Sequence, residues 1–98
     1  MIVLFVDQLG QIVATPGALV ALAAAATSPS TLLQRHAAGD WGDLDAHDRA
    51  ANDAALRDGS RLLSAYTVAG GVTVWIITEA ADDDGHRAAT TLLLPQEY

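Results

Sequence analysis

Between Arg61 and Ala80 the chain reads RLLSAYTV, then AGG, then VTVWIITEA. Two runs rich in β-branched and aromatic residues thus flank Ala69-Gly70-Gly71, and paired glycines supply the positive φ that a tight turn between antiparallel strands requires. This hairpin is the strongest constraint on the fold. A third β-rich run, ATTLLL, follows the polar loop ADDDGHR and ends at Pro95. The expected sheet is therefore a C-terminal three-stranded antiparallel meander over residues 61–68, 72–79 and 89–94.

Helices must cover such a sheet, because a meander alone leaves its apolar face in water. Thr15-Pro16 and Ser28-Pro29 are both cap and first-turn pairs. The first predicts a helix over PGALVALAAAA that buries Leu19, Val20 and Leu22. The second predicts a helix that carries Leu32 and Leu33 inward and closes at Gly39, a residue suited to the left-handed conformation. A third helix is expected from Asp45 to Asp58, with Ala50, Ala51, Ala54 and Ala55 on one stripe and Gly59 as its stop. Near the N-terminus, IVLFV and QIVAT read as short strands around Gly10, a candidate hairpin. Residues 1–98 form one α+β domain in this reading, with two or three helices packed on an antiparallel sheet.

The chain has 98 residues, half of them hydrophobic, enough for a modest core without a disulfide or structural metal. Absence of cysteine excludes thiolate chemistry and permits a reducing compartment. MIVLFVD has no basic flank and stops being apolar at Asp7, so it reads as a buried strand and not as a signal, and a cytoplasmic location is expected. Twelve acids against five arginines and no lysine give a net charge of -7. Arg35, Arg49, Arg57, Arg61 and Arg87 are scattered, so no counterion-displacing surface for nucleic acid is expected, and the field favours basic protein partners.

The acids concentrate in GDWGDLDAHDRAAND, residues 39–53. Helix-start chemistry accounts for part of this cluster. Asp45 is the expected N-cap with Asp48 three residues on, and Asp45 with Arg49 and Asp53 with Arg57 have the i,i+4 spacing of helical ion pairs. Asp40, Asp43, Asp48 and Asp58 are left without an obvious local partner, free to face another molecule. Trp41 either plugs a gap between helices or stands exposed as an interface anchor. Trp75 alternates with Ile77 on one strand face, as core or as a dimer contact.

Chemistry-bearing patterns are sparse. Asp43, Asp45, His47 and Asp48 lack the alternation and distant glutamate of a calcium loop, and ADDDGH reads as a solvated loop, so no metal is expected. Neither glycine-rich nucleotide motif occurs, and no cofactor is expected. Ser60 or Ser64 with His36, His47 or His86 has the spacing of chance and not of a triad. Glu79 ends a hydrophobic strand, where Arg61 or Arg87 would form a cross-strand ion pair.

The segments GQIVATPGAL, GDWGDL, AND, DGSRLLSAY, VWIITEA and TTLLLP with EY resemble a family of small proteins carried on proteobacterial plasmids and other mobile elements. The likeness runs from Gly10 nearly to the end, and the lengthened ADDDGHR loop departs from the family pattern. The family is often described as plasmid-related or as a subunit of a type I restriction system. A methyltransferase needs a cofactor-binding sheet and a catalytic motif that this chain lacks. What the resemblance implies is a mobile-element context, in which small acidic proteins inhibit host defence as anti-restriction or anti-CRISPR proteins. The expected function is thus a non-enzymatic acidic protein docking through Asp40, Trp41, Asp43, Asp48 and Asp58 on a basic, nucleic-acid-binding surface of a defence complex. A homodimeric accessory protein, and a small enzyme using Glu79 or His47, are the alternatives.

Overall fold

The computed structural model describes residues 6–98. A 3-10 turn at Val6–Leu9 leads into β1 (Gln11–Ala14), α1 (Pro16–Ala24), α2 (Pro29–Ala37) and α3 (Ala46–Asp58). Then come β2 (Leu62–Val68), β3 (Val72–Thr78), β4 (Ala89–Leu93) and a closing 3-10 turn at Pro95–Glu97. The expected strand IVLFV falls, apart from Val6, outside the described residues.

β2, β3 and β4 form the expected antiparallel meander, with Tyr66 opposite Val74 and Ile77 opposite Thr91. β1 does something the sequence did not suggest. It crosses to the far side of β4 and pairs with it in parallel, giving the order β1-β4-β3-β2. The sheet is therefore mixed, and the α+β class stands with one parallel strand added.

The helices start where their caps place them. The Thr15 hydroxyl accepts from Ala18 N–H, Ser28 from Ser30 N–H, and Asp45 from Asp48 N–H. α3 ends on Gly59 in the left-handed conformation. α2 runs to Ala37 and closes as expected on Gly39, left-handed at φ +81°, with the Asp40 N–H bonded back to the Arg35 carbonyl.

Register decides what each strand residue faces. Ile12, Thr90, Thr78 and Leu62 share one cross-sheet row, as do Ala14, Leu92, Ile76 and Ser64. This face meets the helices. Ala18 and Leu22 from α1 and Leu32 from α2 pack there on Tyr66, Val68, Val74, Ile76 and Leu92. A second cluster joins Leu9, Ala37, Trp41, Ala55 and Leu62. The alternate residues, among them Val13, Trp75 and Ile77, point to the other face, where Tyr98 lies edge-on to Trp75 at 5.9 Å.

Several side-chain expectations are corrected. Leu19 and Val20 are 49% and 70% exposed, because α1 turns Ala18 and Leu22 inward and residues one and two steps from Ala18 rotate away from that face. Ala50 and Ala51 are exposed and Ala54 half-buried. The buried stripe of α3 is instead Asn52 and Ala55, since the helix packs at the β2 edge. Neither expected helical ion pair forms. Arg49 reaches the Leu44 and Gly42 carbonyls, and the Asp53 carboxylate accepts from the Trp41 indole. Among the described residues no single helix is long and apolar enough to cross a membrane.

Candidate functional site

The first half of the acidic stretch, residues 39–45, folds as a loop against the open side of β2, and the rest begins α3. Gly42 forms a parallel bridge with Ala65. Its φ is +76°, and a Cβ there would stand 2.0 Å from the Ala65 carbonyl oxygen, so only glycine fits. Beside it, Ala65 N–H donates to the Trp41 carbonyl at 3.1 Å, and Asp43 N–H donates to Ala65 O at 2.7 Å. Trp41 is 5% exposed, packed edge-on to His36 at 5.7 Å, its indole N–H 3.2 Å from Asp53 Oδ1. It is the gap-filling residue and is not available as an exposed anchor.

The other expected site residues are more engaged than their spacing implied. Asp40 pairs with Arg35 at 2.6 Å, accepts from Gly42 N–H, and gives its backbone carbonyl to the Tyr66 hydroxyl at 2.6 Å. The Arg35 guanidinium, which also lies over the Tyr66 ring, holds the Asp40 carboxyl below the usual carboxylate range. Asp43 accepts from the Thr67 hydroxyl at 2.8 Å. Asp58 accepts from Ser60 N–H at 2.8 Å, and its bonds to Ser60 lower its pKa. Only the Asp48 carboxylate makes no bond of its own. Ten residues of helix, roughly 15 Å, separate Asp48 from Asp58. Asp40 and Asp43 therefore share one loop, while Asp58 sits at the opposite end of α3.

Two arginines, Arg49 and Arg87, are spent on main-chain oxygens. Arg87 donates to the carbonyls of Ser60 at 2.8 Å, Glu79 at 3.0 Å and Ala55 at 3.1 Å. The expected ion pair with the Glu79 side chain does not form. Arg61 binds the Tyr98 hydroxyl and stacks over its ring, and Arg49 holds the loop carbonyls. Among the described residues Arg35–Asp40 is the one ion pair. Most of the acids thus lack an ion-pair partner among the described residues.

A polar chain inside the molecule was missed by sequence reasoning. His36 Nδ1 lies 2.6 Å from Ser64 Oγ, and Nε2 lies 2.8 Å from Thr78 Oγ1. Thr78 Oγ1 is 2.8 Å from Thr90 Oγ1, which donates to the Leu9 carbonyl at 2.6 Å. All four side chains are fully buried. The carbonyl end fixes the polarity. Thr90 spends its proton on Leu9, so it accepts from Thr78, and Thr78 accepts from the imidazole. His36 is accordingly the Nε2–H tautomer, with Nδ1 accepting from Ser64. Burial, with the nearby positive Arg87, lowers its pKa to about 4. The signal for this chain was a set of polar residues at inward positions: His36 four residues after Leu32, and Ser64, Thr78 and Thr90 on the core face of their strands.

Ser64 and His36 have a nucleophile–base distance, but the third member is a threonine and the serine is sealed from solvent, so the group is a satisfied core network. Ser60, His47 and His86 lie exposed elsewhere. In the 82–86 loop, one ligand atom each from Asp82, Asp84 and His86 fall within 4.8 Å of one another. Asp82 Oδ1 already accepts from Asp84 N–H and His86 N–H, which folds the loop and lowers its carboxyl pKa.

No family model, curated protein or solved structure matches the chain.

Proposed function

We propose that the protein is a non-enzymatic acidic binding protein of a mobile genetic element, acting in the cytoplasm by docking on a basic, nucleic-acid-binding surface of a host defence complex. One observation carries this reading: twelve acids share the chain with five arginines, and among the described residues only Arg35 forms an ion pair, with Asp40. The net charge of -7 gives a negative outward field, which speeds encounter with a basic partner. Asp48 is the most available of the four, with Asp40 and Asp43 also shaping their loop and Asp58 accepting from Ser60. The mobile-element context comes from the sequence resemblance.

Pull-down from a proteobacterial host with intact defence systems identifies the partner. Asp40, Asp43, Asp48 and Asp58 changed together to Asn should then slow association, and wild-type binding should weaken as salt rises, because exposed charges are screened over about 8 to 10 Å. Asp48→Asn with Asp58→Asn, which leaves the Arg35 pair intact, controls for folding. Normal binding by the quadruple variant at every salt concentration would overturn the reading. A homodimeric accessory protein is the second reading, favoured by Trp75 on the sheet face away from the helices and by the exposed apolar residues of β1.

A further inference from the structure

The two edges of the sheet are treated differently. Along β2 the outward-facing amides belong to Leu63, Ala65 and Thr67, since the intervening residues bond to β3. Asn52 answers Leu63 on both sides, accepting from its N–H at 3.1 Å and donating to its carbonyl at 2.6 Å. The 41–43 loop answers Ala65 in the same way. Those two positions are closed to other strands.

Among the described residues the β1 edge is open. Gln11 and Thr15 donate inward to the Ala88 and Leu92 carbonyls, both at 3.0 Å, so alternation turns the N–H and C=O of Ile12 and Ala14 outward. Among the described residues nothing pairs with them. Ile12 and Val13 are 41% and 42% exposed, and Gln11–Ala14 contains no charge, proline or bulge of the kind that protects edge strands. Moreover, residues 8–34 contain no ionisable side chain, in a chain of net charge -7.

We propose that this edge is where two copies of the chain meet, β1 pairing antiparallel with β1 of a second copy about a two-fold axis beside Val13. The outward groups of Ile12 then bond those of Ala14 in the other copy, twice by symmetry, and the two Val13 side chains face each other as a close, non-hydrogen-bonded pair. Two four-stranded sheets become one continuous sheet. Charge selects the occupant. A second copy is repelled at the acidic surfaces and meets no charged side chain on Gln11–Ala14 itself, the Glu97 carboxylate being held by the Thr15 hydroxyl and the Gly17 N–H just beyond the strand, whereas a basic peptide is drawn to the acids instead. The contact is short, so association is weak and concentration-dependent. This names the surface for the homodimer reading, on which it rests, and is independent of the acidic docking reading.

Sedimentation velocity on the full chain, from about 1 µM to about 1 mM, should show the mass rising from monomer to dimer, and more completely at higher salt as like charges are screened. Val13→Lys places two ammonium groups opposite each other and should abolish the dimer. Val72→Lys makes the same charge change at the far hairpin and should leave it intact. Amide exchange at Ile12 and Ala14 in the wild type should slow as concentration rises, a readout that needs no variant. A monomer throughout the range overturns both the edge and the homodimer reading. A dimer that survives Val13→Lys, or is lost equally in Val72→Lys, overturns the edge alone.

Discussion

Burying a histidine between two hydroxyl groups commits it to the neutral form, and that commitment is visible in pH. Unfolded, His36 takes up a proton near its ordinary pKa of 6.5; folded, it resists protonation until about pH 4. The unfolded state therefore binds more protons in this window, so stability is full above about pH 6.5 and is lost as pH falls toward 4. At about 1.4 kcal/mol per pKa unit the loss reaches about 3 kcal/mol. Urea unfolding at pH 7 and pH 4.5 should show the drop, and His36→Gln, which cannot titrate, should remove most of the slope while lowering stability at pH 7. An unchanged slope in that variant would move the titration to another group. Asp40, Asp58, Asp82 and Glu97 have lowered pKa values, so any stability they add is present above their ordinary values of 3.8 and, for Glu97, 4.5, and is lost as pH falls below them.

Asn52 shows how one residue sets the relation between two elements. Its position on α3 gives the side-chain amide the two bonds that a neighbouring strand would otherwise make to Leu63. Asn52→Ala leaves a partly buried N–H and carbonyl without partners, which should cost about 1–3 kcal/mol. The melting temperature should fall, and the Leu63 amide should exchange faster than those of β3. A loss confined to a few tenths of a kcal/mol would mean that water replaces the amide. α3 itself was legible because Asp45 and Gly59 are local signals. Which of its faces is buried was not, since an alanine stripe and an Asn52–Ala55 stripe are both helical and the choice depends on where β2 lies.

For the whole molecule, charge acts mainly as self-repulsion. With twelve acids and one ion pair among the described residues, salt has little attraction to screen and much repulsion. Raising sodium chloride from about 10 mM to about 300 mM shortens the screening length from about 30 Å to below 8 Å and should raise the melting temperature. A fall would show that attractive pairs dominate.

The meander, the three helix starts, the Gly59 stop and the acidic balance follow from the sequence by itself, because each rests on contacts within a few residues: glycine in a tight turn, a hydroxyl or carboxylate capping the next turn, alternation along a strand. Tertiary structure alone decided the rest. β1 joins β4 in parallel across most of the chain length, Trp41 goes under the loop, and Asp40 finds Arg35. His36, Ser64, Thr78 and Thr90 converge from an α-helix and three strands. Such pairings bring together residues far apart in sequence, whose spacing carries no periodicity to read. The cost of burying an unpaired polar group then settles which of them must meet.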